Sequence, residues 1–151
     1  ASFGERRAFL NIRQFLSAMT QKLKDHQIES ASLEAELLLS HALSQNRTYL
    51  YTYPEAIVSE TVQSHVQQLI EKRLEGEPIA YLIGQQEFWS HPFNVTPDVL
   101  IPRADTELLI EVLLARFPSN ELKILDAGTG SGILACILKL ERPKWQVFGL
   151  D

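Results

Sequence analysis

The sequence predicts an α/β protein, on three observations. Apolar residues recur at helical spacing through the first half. Near residue 81 the pattern changes to short aromatic and β-branched runs. Then an apolar strand, Leu122 to Leu125, meets Asp126 and three glycines at alternate positions, Gly128, Gly130 and Gly132. An apolar helical run, Ile133 to Leu140, and a second strand, Gln146 to Leu150, follow. Strand, glycine loop, helix and strand in that order open a doubly wound, Rossmann-like sheet. The expected division is a small helical bundle over 1–77, a β-hairpin linker over 78–103, and the first part of a Rossmann-like domain over 104–151.

Ile12, Phe15, Leu16, Met19 and Leu23 give one apolar stripe and predict the first helix. A second should start near Ser30 or Ser32, with Glu34 and Glu36 in its first turn, where carboxylates favour the helix dipole. Its apolar face reads as Leu33, Leu37, Leu38 and Leu43. Arg47 to Tyr53 is short and aromatic and stops at Pro54. Val62, Val66, Leu69, Ile70 and Arg73 define another helix, which Gly76 and Pro78 end. Lys22 with Lys24, and Lys72 with Arg73, read as solvated helix faces.

Tyr81 to Gly84, Glu87 to Trp89 and Phe93 to Val95 read as short strands or a hairpin, broken by Gly84 and Pro92. A helix from Asp105 or Thr106 to Phe117 should bury Leu108, Leu109, Val112 and Leu113, with Pro118 and Asn120 marking its end. Two parallel strands with two helices would leave a sheet edge unpaired and an apolar face uncovered. The sequence is therefore expected to be the N-terminal part of a longer, truncated protein, and to be inactive alone.

Hydrophobic residues make up 45% and charged residues 22%, the balance of a soluble globular protein. A net charge of −5 argues against a partner bound mainly through phosphates, so no direct nucleic-acid contact is expected. Cys136 is the only cysteine, which excludes a disulfide within the chain and suits the cytoplasm. No stretch reaches transmembrane length and no signal-peptide core is present; no membrane association is expected. Ala1 to Arg7 read as a polar tail. His26, His41, His65 and His91 are scattered without a second ligand at metal-like spacing, so no metal is assigned.

Glycines at alternate positions let a backbone turn sharply and leave a ligand room to approach. Nineteen residues after Gly132 the second strand ends on Asp151, whose carboxylate can accept hydrogen bonds from ribose hydroxyls. These features indicate a nucleoside cofactor. Gly130, Gly132 and Ala135 satisfy a loose dinucleotide fingerprint. Asp126 with the three glycines satisfies D-x-G-x-G-x-G instead, the pattern of an S-adenosylmethionine (SAM) site. A carboxylate at the strand end would repel a pyrophosphate but suits the cationic amino-acid end of SAM, which favours the second reading. The predicted cofactor-binding set is Asp126, Gly128, Thr129, Gly130, Ser131, Gly132 and Asp151.

With those residues placed, residues 87–107 become legible: Glu-Phe-Trp-Ser-His-Pro-Phe-Asn-Val-Thr-Pro-Asp-Val-Leu-Ile-Pro-Arg-Ala-Asp-Thr-Glu. This block closely resembles the E-F-[WY]-[GS]…V-L-I-P-R-x-[DE]-T-E segment of the HemK/PrmC family of protein-glutamine N5-methyltransferases. Arg73, Gly76, Glu77, Pro78 and Tyr81 to Gly84 resemble that family's R-x-x-G-E-P-[IL]-x-Y-[IL]-x-G stretch. Ala104 stands where the family often has Pro, a departure that bears on loop rigidity.

The resemblance implies SAM-dependent methylation of the glutamine in the Gly-Gly-Gln motif of class-1 peptide-chain release factors. It implies a helical N-terminal domain that helps hold the release factor; a monomer is expected. The family's catalytic Asn-Pro-Pro-Tyr motif is absent from these residues, so no catalytic residue is assigned within the chain. Arg103, Asp105, Thr106 and Glu107 are expected at the site entrance, although a plain helix start explains them equally well. Trp89 and Phe93 are read as packing between domains. Two other functions fit less well: a nucleic-acid adenine N6-methyltransferase, and an inactive fragment that docks a protein.

Overall fold

A computed structural model describes residues 9–117 and 121–151. The readings placed on Ala1 to Arg7 and on Pro118 and Asn120 lie outside these residues. The chain is a mixture of helices and small sheets, and it divides into two compact units, Ala1–Ile83 and Gly84–Asp151.

The first unit is helical: α1 (Ile12–Asp25), α2 (Ala31–Leu43), α3 (Arg47–Thr52), α4 (Glu60–Leu74) and α5 (Ile79–Ile83). Three of its helices start on side-chain caps. Asn11 accepts the Gln14 N–H at 2.8 Å while Gln14 accepts the Asn11 N–H at 3.1 Å, a reciprocal box at the head of α1. Asn46 caps α3 through Tyr49 N–H, and Ser59 caps α4 through Val62 N–H. A short backbone ladder binds the chain before α1 to the segment before α4, with Ile12 N–H to Ala56 O and Val58 N–H to Leu10 O, both 2.9 Å.

Ile12, Phe15, Met19 and Leu23 are buried along α1, as its stripe predicts, against Val66, Leu69 and Ile70 of α4 and Leu50 of α3. The face of α2 differs from the expectation. Ala31, Ala35, Leu38 and Leu39 are buried, while Leu33 is 42% exposed. Leucines surround α2 on most sides, so periodicity alone does not select a face; the two alanines, fully buried, let neighbouring helices come close. Tyr81 to Gly84 is not a strand. Its first three residues are the second half of α5, where Tyr81 and Leu82 N–H groups both bond Pro78 O and Leu82 and Ile83 pack on the helical core. Burial of an aliphatic turn outweighs the local β propensity.

Ion pairs join the helices. Arg73 Nε donates to Glu34 Oε2 at 2.7 Å and its Nη2 to Oε1 at 3.3 Å, joining α4 to α2 with side chains only 22% and 11% exposed. Arg73 is therefore not part of a solvated face, and Glu34 does more than favour a helix dipole. Glu36 Oε2 receives Arg47 Nε and Nη2 and the Tyr51 hydroxyl, fastening α3 to α2. The Glu36 hydrogen bond pushes the Arg47 pKa further above its usual value, against a smaller opposing effect of burial.

The second unit begins with a hairpin, β1 (Gln85–Phe88) and β2 (His91–Asn94), antiparallel with Glu87 opposite Pro92. Its two-residue turn is Trp89-Ser90, both left-handed at φ +51° and +58°. After α6 (Ala104–Arg116) come β3 (Lys123–Ala127), α7 (Ile133–Glu141) and β4 (Gln146–Leu150), with β3 and β4 parallel. Phe88, Ile110, Ile133, Ile137, Leu138 and Trp145 form the core. Trp89 and Phe93, expected between domains, pack against this unit's own core.

The buried face of α6 also differs from the expectation. Ile110 is fully buried, whereas Leu108, Leu109 and Val112 are 60%, 46% and 49% exposed. This helix too is apolar nearly all round, so its sequence does not mark which stripe turns inward. Ile124 and Val147 on one face of the β3–β4 pair pack against the core, while Leu125 and Phe148, opposite each other in the register, are exposed. Cys136 lies exposed on α7. Among the described residues no helix is long and apolar enough to cross a membrane.

Glu34→Ala leaves the Arg73 guanidinium with no carboxylate in a largely apolar setting. It should destabilise the protein by about 2–4 kcal/mol, read as a lowered urea midpoint. Arg73→Ala in the same background should then cost much less than it does alone, and full additivity of the two changes would refute the coupling.

Candidate functional site

The strand β3 delivers its C-terminal end beside that of β4, with Asp126 opposite Gly149 and Ala127 opposite Leu150. Ligands of open α/β sheets bind outside the carboxyl ends of parallel strands. The chain leaves β3 through Gly128, Gly130 and Gly132, at φ +74°, +57° and +78°. Only glycine holds this conformation at little cost, and three such residues alternate with Thr129 and Ser131. Nothing lies within 4 Å of where a Cβ on any of the three would stand, so these glycines are fixed by backbone angle and not by crowding.

Backbone bonds secure the loop to β4. Gly128 N–H reaches Leu150 O at 2.6 Å, and Thr129 N–H shares that oxygen at 3.2 Å. Gly130 N–H donates to Asp151 Oδ1 at 2.9 Å, which aims the carboxylate at the loop. Thr129 Oγ1 donates to Asp126 Oδ2 at 2.9 Å, so the half-buried Asp126 is oriented by its own loop. The helix α7 starts directly on Gly132 with no side-chain cap. Its N-terminus therefore offers a partial positive charge that no neighbouring side chain has claimed as a cap.

A cleft of about 450 Å³ lies over the loop, within the range of small-ligand sites. Asp126, Gly128, Thr129, Gly130 and Ser131 line one side, and Leu100 to Arg103 with Asp105 and Thr106 line the other. The structure thus brings Arg103, Asp105 and Thr106 to the glycine loop. Glu107 does not join them: its Oε1 accepts the Trp89 N–H at 3.1 Å. Gly132 and Asp151 are not among the residues lining the cleft; the first is the cap of α7 and the second accepts the Gly130 N–H.

Gly149 escaped the sequence reading. A Cβ there would lie 2.8 Å from Thr129 Oγ1 and 3.1 Å from its Cβ and Cγ2, so β4 must carry glycine for Thr129 to reach Asp126. The signal was present, because a lone glycine within an apolar strand marks a close approach. The hydrogen bonds from Trp89 to Glu107 and Glu141 were also missed, since they span 18 and 52 residues with no local pattern. Rings of His41 and His65 come within 6.5 Å of each other on α2 and α4. Among the described residues no group of three or more His, Cys, Asp and Glu could hold a metal.

Residues 14–84 match the family model described as the PrmC N-terminal domain. Over those residues the chain is similar to the PrmC N-terminal domain. Beyond those residues the similarity continues. The chain is 44% identical to a release factor glutamine methyltransferase of Aliivibrio fischeri over 142 residues, 94% of this chain and 50% of that protein. It is 43% identical to the Coxiella burnetii protein of the same name, over 94% of this chain and 51% of the other. The Escherichia coli K12 protein of that name is 42% identical over 82% of this chain and 44% of its own length. The chain spans about half the length of the curated relatives it matches.

Gly149→Ala should drive Thr129 off Asp126 and destabilise the protein by about 1–3 kcal/mol in chemical unfolding. Adding Thr129→Ala removes the obstacle and should recover most of the loss; no recovery would place the crowding elsewhere.

Proposed function

We propose that this chain supplies the cofactor half, and part of the substrate-docking surface, of a SAM-dependent release factor glutamine methyltransferase. The observation that carries the reading is the cleft lined by Asp126, Gly128 to Ser131, Arg103, Asp105 and Thr106, with Asp151 hydrogen-bonded to Gly130 beside it. The functional division follows the sequence reading: 1–77 holds the release factor, 78–103 joins, and 104–151 opens a Rossmann-like domain. The acceptor is the side-chain amide of the glutamine in the Gly-Gly-Gln motif of class-1 release factors, as the family resemblance implies. The names of the relatives favour this acceptor over a nucleic-acid base. The enzyme acts as a cytoplasmic monomer.

The residues present fit the cofactor. Asp151, aimed by Gly130 N–H, can accept from two ribose hydroxyls. Asp126, held by Thr129, offers a carboxylate to the ammonium group, while the uncapped start of α7 favours the carboxylate of the same molecule. Leu100, Ile101 and Leu134 give an apolar lining for the adenine. When bound, SAM supplies an electrophilic methyl group on a sulfonium. An amide nitrogen is a weak nucleophile because its lone pair is delocalised, so catalysis must come largely from alignment. Alignment of the amide falls to an Asn-Pro-Pro-Tyr motif that these 151 residues do not contain. This chain's part is to hold the donor still and exclude water from it.

The full-length protein should transfer labelled methyl from SAM to a release factor, and Gln→Ala in the Gly-Gly-Gln motif should abolish labelling. Surviving label would reject that acceptor, and labelling of DNA or RNA in its place would restore the nucleic-acid alternative. Asp151→Ala should weaken SAM binding by roughly 1–3 kcal/mol in calorimetric titration, because charge-assisted hydrogen bonds to the ribose are lost. Unchanged affinity would mean that the ribose lies elsewhere.

A further inference from the structure

Trp89 occupies a backbone position that its side chain disfavours. Two-residue turns with both residues left-handed take Asn-Gly or similar pairs, yet here an indole-bearing residue stands at φ +51° beside Ser90 at +58°. Such a residue persists where its surroundings over-determine it, and such positions cluster at functional sites. The surroundings of Trp89 do fix it. Its N–H donates to Glu107 Oε1 and its indole Nε1–H to Glu141 Oε1, both at 3.1 Å, and its ring packs on the core of the second unit.

The two carboxylates come from different elements, and that gives the contacts a geometric consequence. Glu107 stands in the first turn of α6, so its bond to Trp89 closes residues 89–107 into a loop. The stretch 95–103 of that loop has no helix or strand of its own, and Leu100 to Arg103 form the wall of the cleft that faces the glycine loop. Glu141 is the last residue of α7, whose first turn leaves the glycine loop itself. One residue, through its backbone N–H and its indole, therefore ties an irregular wall of the cleft to the helix that carries the other wall.

We propose that Trp89 is a positioning residue: through Glu107 and Glu141 it holds the Leu100–Arg103 wall at a fixed distance from the glycine loop, and so sets affinity for the bound nucleoside. The affinity part rests on the cofactor reading above; the wall-setting part does not. Trp89→Phe keeps a ring for packing and removes only the indole donor. Glu107→Ala removes the acceptor of the backbone N–H, and Glu107→Gln keeps an oxygen in its place.

In the full-length protein, hydrogen exchange of the Leu100, Ile101 and Arg103 amides should be roughly tenfold faster in Trp89→Phe and Glu107→Ala, and close to the parent in Glu107→Gln. The dissociation constant for SAM should rise about three- to tenfold in the first two variants, with kcat at saturating SAM retained. Unchanged exchange at those amides in both variants, even with a lowered melting temperature, would overturn the proposal and leave Trp89 a packing residue. Accelerated exchange in a protein whose parent binds no SAM would uphold the wall-setting role while rejecting the cofactor.

Discussion

Parallel pairing of Lys123–Ala127 with Gln146–Leu150 sets Asp126 opposite Gly149 and Ala127 opposite Leu150, and the cleft is built outward from that register. A slip of one residue would put a side chain where Gly149 now admits Thr129. It would also move the Leu150 carbonyl away from the Gly128 and Thr129 N–H groups, and Asp151 away from Gly130. The three left-handed glycines then have only one task, to turn the chain from β3 into α7 within a few residues. Their conformational freedom is useful because the strands have already decided where the loop starts.

The helical unit is organised differently. Its apolar core is distributed over four helices and a short fifth, and each helix is too short to be stable in isolation. Directional contacts choose among the faces that greasy helices could present. Glu34 turns α2 so that Ala31 and Ala35 face inward and Leu33 outward, because its carboxylate must meet Arg73 from α4. Burying this pair contributes little net stability compared with apolar residues of similar volume, but a misaligned alternative would strand both charges. Glu36 performs a related service for α3 in a more exposed place.

How much of this could be read in advance depends on whether the signal was local. The α1 stripe, the caps at Asn46 and Ser59 apart, and the strand–glycine–helix–strand order were legible because each rests on spacing within a dozen residues. The glycine loop was legible for the same reason, and Arg103, Asp105 and Thr106 do meet it in one cleft. The faces of α2 and α6 were not, since both helices carry apolar residues nearly all round. The helix at Ile79–Ile83 was obscured by β-prone residues that pack as a helical turn. Trp145, flanked by Lys144 and Gln146, gave no hint that its ring would be wholly buried at the centre of the second core. Long-range pairs such as Arg73 with Glu34, or Trp89 with Glu141, leave no trace in periodicity.

Cys136 offers a practical handle. It is the chain's only thiol, it is exposed, and its N–H bonds Gly132 O in the first turn of α7. A small fluorophore attached there would stand one helical turn from the glycine loop without competing against another thiol of this chain. Its emission would report polarity changes near the start of α7 as ligand arrives, so occupancy could be followed in real time on unmutated backbone. The same thiol is an exposed target for oxidants, and handling under reducing conditions would keep that reporter intact.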